Sequence, residues 1–174
     1  MHLSAGDLLR EERNTPGSQY GELIESHIRN GTIVPVEITC KLIEKAMKKH
    51  VSSKMTTGDQ LFGSGKFLID GFPRNQDNLD GWTRSMSDSV NVQFVLFLTC
   101  DEDICVERCL KRGAAGSGRS DDNEESLRKR MNTYVKDTLP IIQYYEKLNL
   151  VRKVDAVKTP DTVYESIKKL FKTN

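Results

Sequence analysis

No apolar run in the 174 residues approaches the roughly 20 needed to cross a bilayer, which excludes a membrane-spanning helix. The first residues also lack the basic stretch and apolar core of a secretory signal, so the expectation is a soluble, intracellular protein. Neither sign of charge is in excess: 26 Lys and Arg stand against 25 Asp and Glu. With no global field to draw it to nucleic acid or to an anionic surface, neither is expected as a partner, and any affinity for anions must come from local clusters. Cys40, Cys100, Cys105 and Cys109 contain no CxxC pair, and His2, His27 and His50 are scattered, which argues for reduced thiols and against a zinc site. Cys105 and Cys109 nevertheless share a helical face. A phosphate-cradling GxxGxGK segment is missing as well: 63–65 and 116–118 are Gly-Ser-Gly, without the lysine and without a strand-to-helix context.

What is present reads as one α/β domain over residues 1–174. Helical periodicity runs over 7–13, 19–29 with Ser18 as its cap and Gly31 as its stop, and 36–50 after the extended stretch before Pro35. Residues 51–65 mix Ser, Thr and Gly and read as an exposed loop. Short apolar runs at 67–70 and 92–98 suit parallel strands buried on both faces, and each is followed by a helical pattern, 77–86 and 103–112. After the glycine-rich 113–118, Asn123 can cap a helix over 124–136 and Pro140 can open another. A last strand at 151–154 and a helix opened by Thr159 and Pro160 complete the pattern.

Asp70-Gly71-Phe72-Pro73-Arg74 lies where a buried strand ends, the place where open α/β sheets hold ligands. Taken alone, it is equally a strand-to-helix turn with a surface arginine. Arg10, Arg112, Arg119 and Arg130 fall in segments able to converge on one cleft. Several positioned cations suit phosphoryl transfer, in which charge spreads over the moving group and the protein supplies little covalent chemistry.

Four segments in order carry a resemblance: His2 to Arg10 (HLSAGDLLR), Gly31 to Pro35 (GTIVP), Phe67 to Asn78 (FLIDGFPRNQDN) and Gly118 to Asp122 (GRSDD). Together they resemble the signatures of the adenylate kinase superfamily, nearest its UMP-CMP kinases. The resemblance implies a P-loop-type five-stranded parallel sheet flanked by helices, with an NMP-binding region over about 4–34 and a short lid over about 112–122. It implies transfer of a phosphoryl group from ATP, with Mg²⁺, to UMP or CMP, dCMP being a further candidate acceptor. Arg10 and Arg74 would grip the monophosphate, with Gly71, Phe72 and Pro73 beside it and Thr32, Ile33 and Val34 bordering base and sugar. Arg112, Arg119 and Arg130 would close over the phosphates and serve catalysis, Arg112 and Lys158 would serve ATP, and Asp70 would sit near Mg²⁺ through water. A monomer of the cytoplasm, with the nucleus as second location, follows from the same resemblance. Asn78 stands where adenylate kinases resemble one another in having Gln, which favours pyrimidines; its other reading is a helix cap.

The family's glycine loop lies between a first, central strand and the first helix, and nothing in this sequence matches it. The expectation is a chain truncated at its N-terminus, with a sheet parted into two halves and transfer activity in doubt. Two readings therefore stand beside the kinase: a non-catalytic remnant keeping at most the monophosphate site, and an adenylate kinase.

Overall fold

The computed structural model describes residues 1–55 and 65–171. They divide into two compact units, Met1–Asp88 and Ser89–Asn174. Among the described residues no helix is long and apolar enough to cross a membrane.

In the first unit, β1 (His2–Ser4) pairs in parallel with β2 (Leu68–Asp70), placing Leu3 opposite Ile69 and Ser4 opposite Asp70. Ser4 ends its strand and caps α1 (Ala5–Asn14), its hydroxyl accepting from the Asp7 amide at 3.3 Å, which is why the helix starts two residues earlier than periodicity alone suggests. Helix α2 (Gly21–Asn30) begins later than expected, because Ser18 does not cap it. The Ser18 hydroxyl is engaged in a turn instead, donating to Glu12 at 2.6 Å and accepting from the Tyr20 amide at 3.2 Å. Gly31 stops α2 as expected, at φ 65°, where a side chain would be strained.

Helix α3 (Val36–Met55) runs past His50, so 51–55 of the expected loop are helical; residues 56–64 of that loop lie outside the described residues. Ser53 tolerates the helix by donating its hydroxyl to the His50 carbonyl at 2.8 Å. Ile24, Val34 and Ile38 form the core here, with Leu9, Tyr20, Ile28 and Leu42 packed around them. Helix α4 (Gln76–Met86) lies against α3 so closely that a Cβ on Gly81 would meet Val36 Cγ2 at 2.4 Å. Val36 is itself 1% exposed and has nowhere to retreat. Gly81→Ala is therefore expected to lower stability by about 1 kcal/mol net, overpacking outweighing the gain in helix propensity, read as a lower urea midpoint.

In the second unit, β3 (Val95–Thr99) pairs in parallel with β4 (Val151–Asp155), Val95 opposite Val151 and Thr99 opposite Asp155. Helices α5 (Glu102–Ala114), α6 (Glu124–Thr133), α7 (Leu139–Lys147) and α8 (Pro160–Phe171) complete it. Asn123 caps α6 as expected, accepting from the Ser126 amide at 3.0 Å. That helix gives way to a π-turn at Tyr134–Thr138, where the Leu139 amide reaches the Tyr134 carbonyl. Pro140 has no N–H to continue an α ladder at this point. Leu127, Ile141, Tyr145 and Val154 are buried.

Parallel strands flanked by helices are thus present, in two separate two-stranded ladders, β1 with β2 and β3 with β4. Burial on both faces is not met: Leu68 is 47% and Leu98 46% exposed. In a two-stranded ladder both strands are edge strands, each with one side unpaired, and an apolar run gives no count of neighbouring strands.

Candidate functional site

The parallel register of β1 and β2 brings two chain segments to the same edge of the first unit: the start of α1, carrying Asp7 and Arg10, and the Gly71–Arg74 turn after Asp70. Gly71 takes φ 74° with open space where a Cβ would stand, and the Phe72–Pro73 bond is cis. Phe72 rests on Trp82, ring centroids 5.6 Å apart, which ties the turn to α4. Asp70, at the strand end, is exposed. Arg10 folds back along α1 onto the Asp7 carboxylate, its guanidinium lying where a Cβ on Gly6 would come within 3.2 Å.

Asn75, not Asn78, caps α4: its side chain accepts from the Asn78 amide at 2.8 Å. Asn78 stands inside the first turn, 2% exposed. Its Oδ1 accepts from the Arg74 amide at 3.2 Å and so holds the arginine's backbone, while its Nδ2 is buried with no hydrogen-bond partner. A buried donor without an acceptor costs about 1–3 kcal/mol, so a ligand oxygen or ring nitrogen delivered there would be bound strongly. Of the segment after α2, Thr32 is exposed and its hydroxyl meets His27 Nδ1 at 2.8 Å, Ile33 is half-buried, and Val34 belongs to the core with Ile24 and Ile38. Val34 can offer a ligand its backbone only.

The second unit gathers the remaining arginines around the 112–122 turn. Arg112, in the last turn of α5, makes a two-pronged contact with Asp122, Nε to Oδ2 at 2.8 Å and Nη2 to Oδ1 at 2.5 Å. Ser117 adds a third bond to Asp122 at 2.7 Å. With its side chain only 1% exposed, Asp122 has its carboxyl drawn down to about 2, by the Arg112 hydrogen bonds first and with Ser117 and Arg119 adding, against the opposing effect of burial. Asp122 in turn pushes the Arg112 guanidinium upward. Arg130 meets Asp121 at 3.0 Å, and the other oxygen of Asp121 is buried without a partner. Arg112 and Arg130 are thus each held by an aspartate of this turn, and Arg119 adds to the positive field at Asp122.

Sequence reading named Lys158, exposed after β4, but missed Arg108, which holds the segment carrying it. Arg108 donates to the carbonyls of Ala156 at 2.6 Å and Val157 at 2.7 Å, and to that of Lys158 at 3.5 Å. The available signal was its position on α5 one turn before Arg112; the carbonyls it holds lie some fifty residues away in the chain, beyond any local pattern. Among the described residues no group of three or more His, Cys, Asp or Glu could hold a metal ion.

Comparison with known proteins adds the following. A family model described as adenylate kinase matches residues 1–150. UMP-CMP kinase of Gallus gallus is 55% identical over 170 residues, covering 98% of this chain and 83% of the relative. UMP-CMP kinase of Xenopus tropicalis is 57% identical over 171 residues, with 98% and 83% covered. For UMP-CMP kinase of Homo sapiens the identity is 52% over 170 residues, with the same two coverages, 98% and 83%.

Proposed function

The chain belongs to the adenylate kinase family, and from that premise we propose that it is a pyrimidine nucleoside monophosphate kinase, which transfers a phosphoryl group from ATP to UMP or CMP. The observation that carries the choice of substrate is Asn78, buried in the first turn of α4 with an unsatisfied donor and accepting from the backbone amide of Arg74. A carboxamide held in this way can read a base edge while the neighbouring arginine takes the phosphate, and a base whose acceptor does not reach Nδ2 would leave the donor unpaired.

In this reading Arg10 and Arg74 bind the acceptor monophosphate. Arg10 exchanges one anion, the Asp7 carboxylate, for another, so its guanidinium is never left without a counter-charge. Arg112 and Arg130 offer the same exchange to nucleotide phosphates, with Asp122 and Asp121 orienting them in the meantime, and Arg119 adds a third positive charge from the turn between them. The acceptor phosphate is already ionised at neutral pH and attacks without a general base; what the protein supplies is position and positive charge. Mg²⁺ is held in such reactions by one or two carboxylates together with phosphates and water, and the exposed Asp70 at the end of β2 fits that modest demand. When bound, the ion neutralises phosphate charge. dCMP is a further candidate acceptor, tested below beside UMP and CMP.

The test is ADP formation from ATP with UMP, CMP, dCMP or AMP, run beside calorimetric titration with CMP alone. Faster turnover with UMP or CMP than with AMP is the expected result. Preference for AMP would make the protein an adenylate kinase, and CMP binding without turnover would leave a nucleotide-binding protein that does not transfer.

A further inference from the structure

The ladder of β3 and β4 engages one side of each strand. The Val95 amide donates to the Leu150 carbonyl at 2.8 Å, and the Thr99 carbonyl accepts from the Ala156 amide at 2.8 Å. Val95, Phe97 and Thr99 therefore turn their N–H and C=O groups towards β4, and strand geometry turns those of Leu96 and Leu98 to the opposite edge. Among the described residues nothing bonds to them there, since β4 is the sheet neighbour of β3 and no other strand joins. Leu98 is also 46% exposed. The remaining strand edges are defended. On β4 the outward carbonyl of Val151 accepts from the Arg152 guanidinium at 3.3 Å, and Lys153 and Asp155 add charge along the same strand. β1 and β2 are three residues long and end in the polar Ser4 and Asp70. Charge and shortness are devices by which proteins blunt a free edge. β3 has neither: no charged residue and no proline stands between Asp88 and Asp101.

We propose that the open edge of β3 pairs with the same edge of a second copy of this chain, giving a two-fold dimer whose sheet runs from β4 through the two β3 strands to the other β4. A second copy is the occupant because the edge is its own complement. Antiparallel pairing about Phe97 sets Leu96 of one copy opposite Leu98 of the other, twice. Both are outward-facing residues, so each pair exchanges both of its N–H···O=C bonds and the unpaired groups of Leu96 and Leu98 are all satisfied. Phe97 meets its own copy at the axis, and the exposed Leu98 side chain gains an apolar neighbour. Carried outward, the same register sets Gln93 against Asp101, so no like charges face each other. The outer edges of the new sheet are the charged β4 strands, so association stops at two. So few backbone bonds and side chains make an interface of the small, transient class, read through its dependence on concentration. The monomer implied by the family resemblance is then the dilute form.

Sedimentation equilibrium of the full chain from about 10 μM to about 1 mM is expected to show the mean mass rising from one chain towards two and no further. Residue-resolved amide exchange by NMR then identifies the surface without any substitution. The Leu96 and Leu98 amides are expected to slow by about tenfold as concentration rises, while the Phe97 amide, bonded to β4 throughout, does not change. Leu98→Lys, at an exposed position, places a like charge on each side of the axis. It is expected to keep the mass of one chain at the highest concentration, with the urea midpoint of the dilute parent. A mass of one chain throughout, growth beyond two, or a Leu98→Lys protein that dimerises as the parent does would each overturn the proposal. So would a dimer whose Leu96 and Leu98 amides still exchange fast, which would place the interface elsewhere. Equally slow exchange of both amides at every concentration would overturn it too, because a segment of the same chain would then cover the edge.

Discussion

Replacing Asp122 with alanine is expected to destabilise the second unit by about 2–3 kcal/mol, and acidification is expected to remove most of the same stabilisation from the parent protein. The substitution leaves the Arg112 guanidinium without either of its carboxylate bonds and returns the exposed Ser117 hydroxyl to water. Breaking a buried ion pair costs about 3–5 kcal/mol, and the lower figure here allows for Arg112 being partly open to water. The pH dependence follows from the direction of the shift. Asp122 falls from an ordinary 3.8 to about 2 on folding, so the folded state favours the ionised form and the unfolded chain takes up the proton first. The stabilisation is complete above the unfolded value and disappears as pH falls from about 4 through 2; at 1.36 kcal/mol per pH unit it amounts to roughly 2 kcal/mol. Urea midpoints at pH 6 and at pH 2 check it. Other carboxylates titrate in the same window, so the informative quantity is the gap between parent and Asp122→Ala, which should shrink by most of its size on acidification. A gap unchanged at pH 2 would mean that the charge on Asp122 is not what the folded state uses.

Residues whose partners are near in sequence were legible before the structure; those whose partners are distant were not. Gly31 stops α2 and Asn123 caps α6 because each bonds within its own turn. Ser18 looked like the same kind of cap, but its hydroxyl is taken by Glu12 on the preceding helix, a tertiary competitor that no window reveals. The expected end of α3 failed at Ser52 and Ser53, whose lower helix propensity costs only a few tenths of a kcal/mol each, and Ser53 bonds its hydroxyl back to the His50 carbonyl. At the site, residue types and order identified the arginines, yet not what holds them: Asp122 reaches Arg112 across ten residues of turn, and Arg108 reaches carbonyls across about fifty. Asn78 shows the limit most plainly. Two asparagines three residues apart could each cap α4, and only backbone geometry assigns the cap to Asn75 and leaves Asn78 with a spare donor.

That spare donor leads to the other large effect. Asn78→Leu, close in volume but without donor or acceptor, is expected to weaken CMP binding by about 10–100-fold, the range that 1.5–3 kcal/mol of buried hydrogen bonding gives. Two losses contribute: the bond from Nδ2 to the base, and the Oδ1 acceptor that fixes the Arg74 amide and with it the phosphate grip. They separate by ligand. Loss of the base contact weakens CMP and spares inorganic phosphate, whereas a displaced Arg74 weakens both. Asn78→Gln should behave differently again, since it keeps the amide but advances it by one methylene, moving donor and acceptor along the base edge; the ratio of CMP to AMP binding is then expected to fall towards AMP. Asn75→Ala provides the control, because removing a true cap costs about 1 kcal/mol of stability and should leave the CMP to AMP ratio where it was. If Asn78→Leu binds CMP as the parent does, the unsatisfied Nδ2 faces no base, and the pyrimidine preference must be sought elsewhere in the first unit.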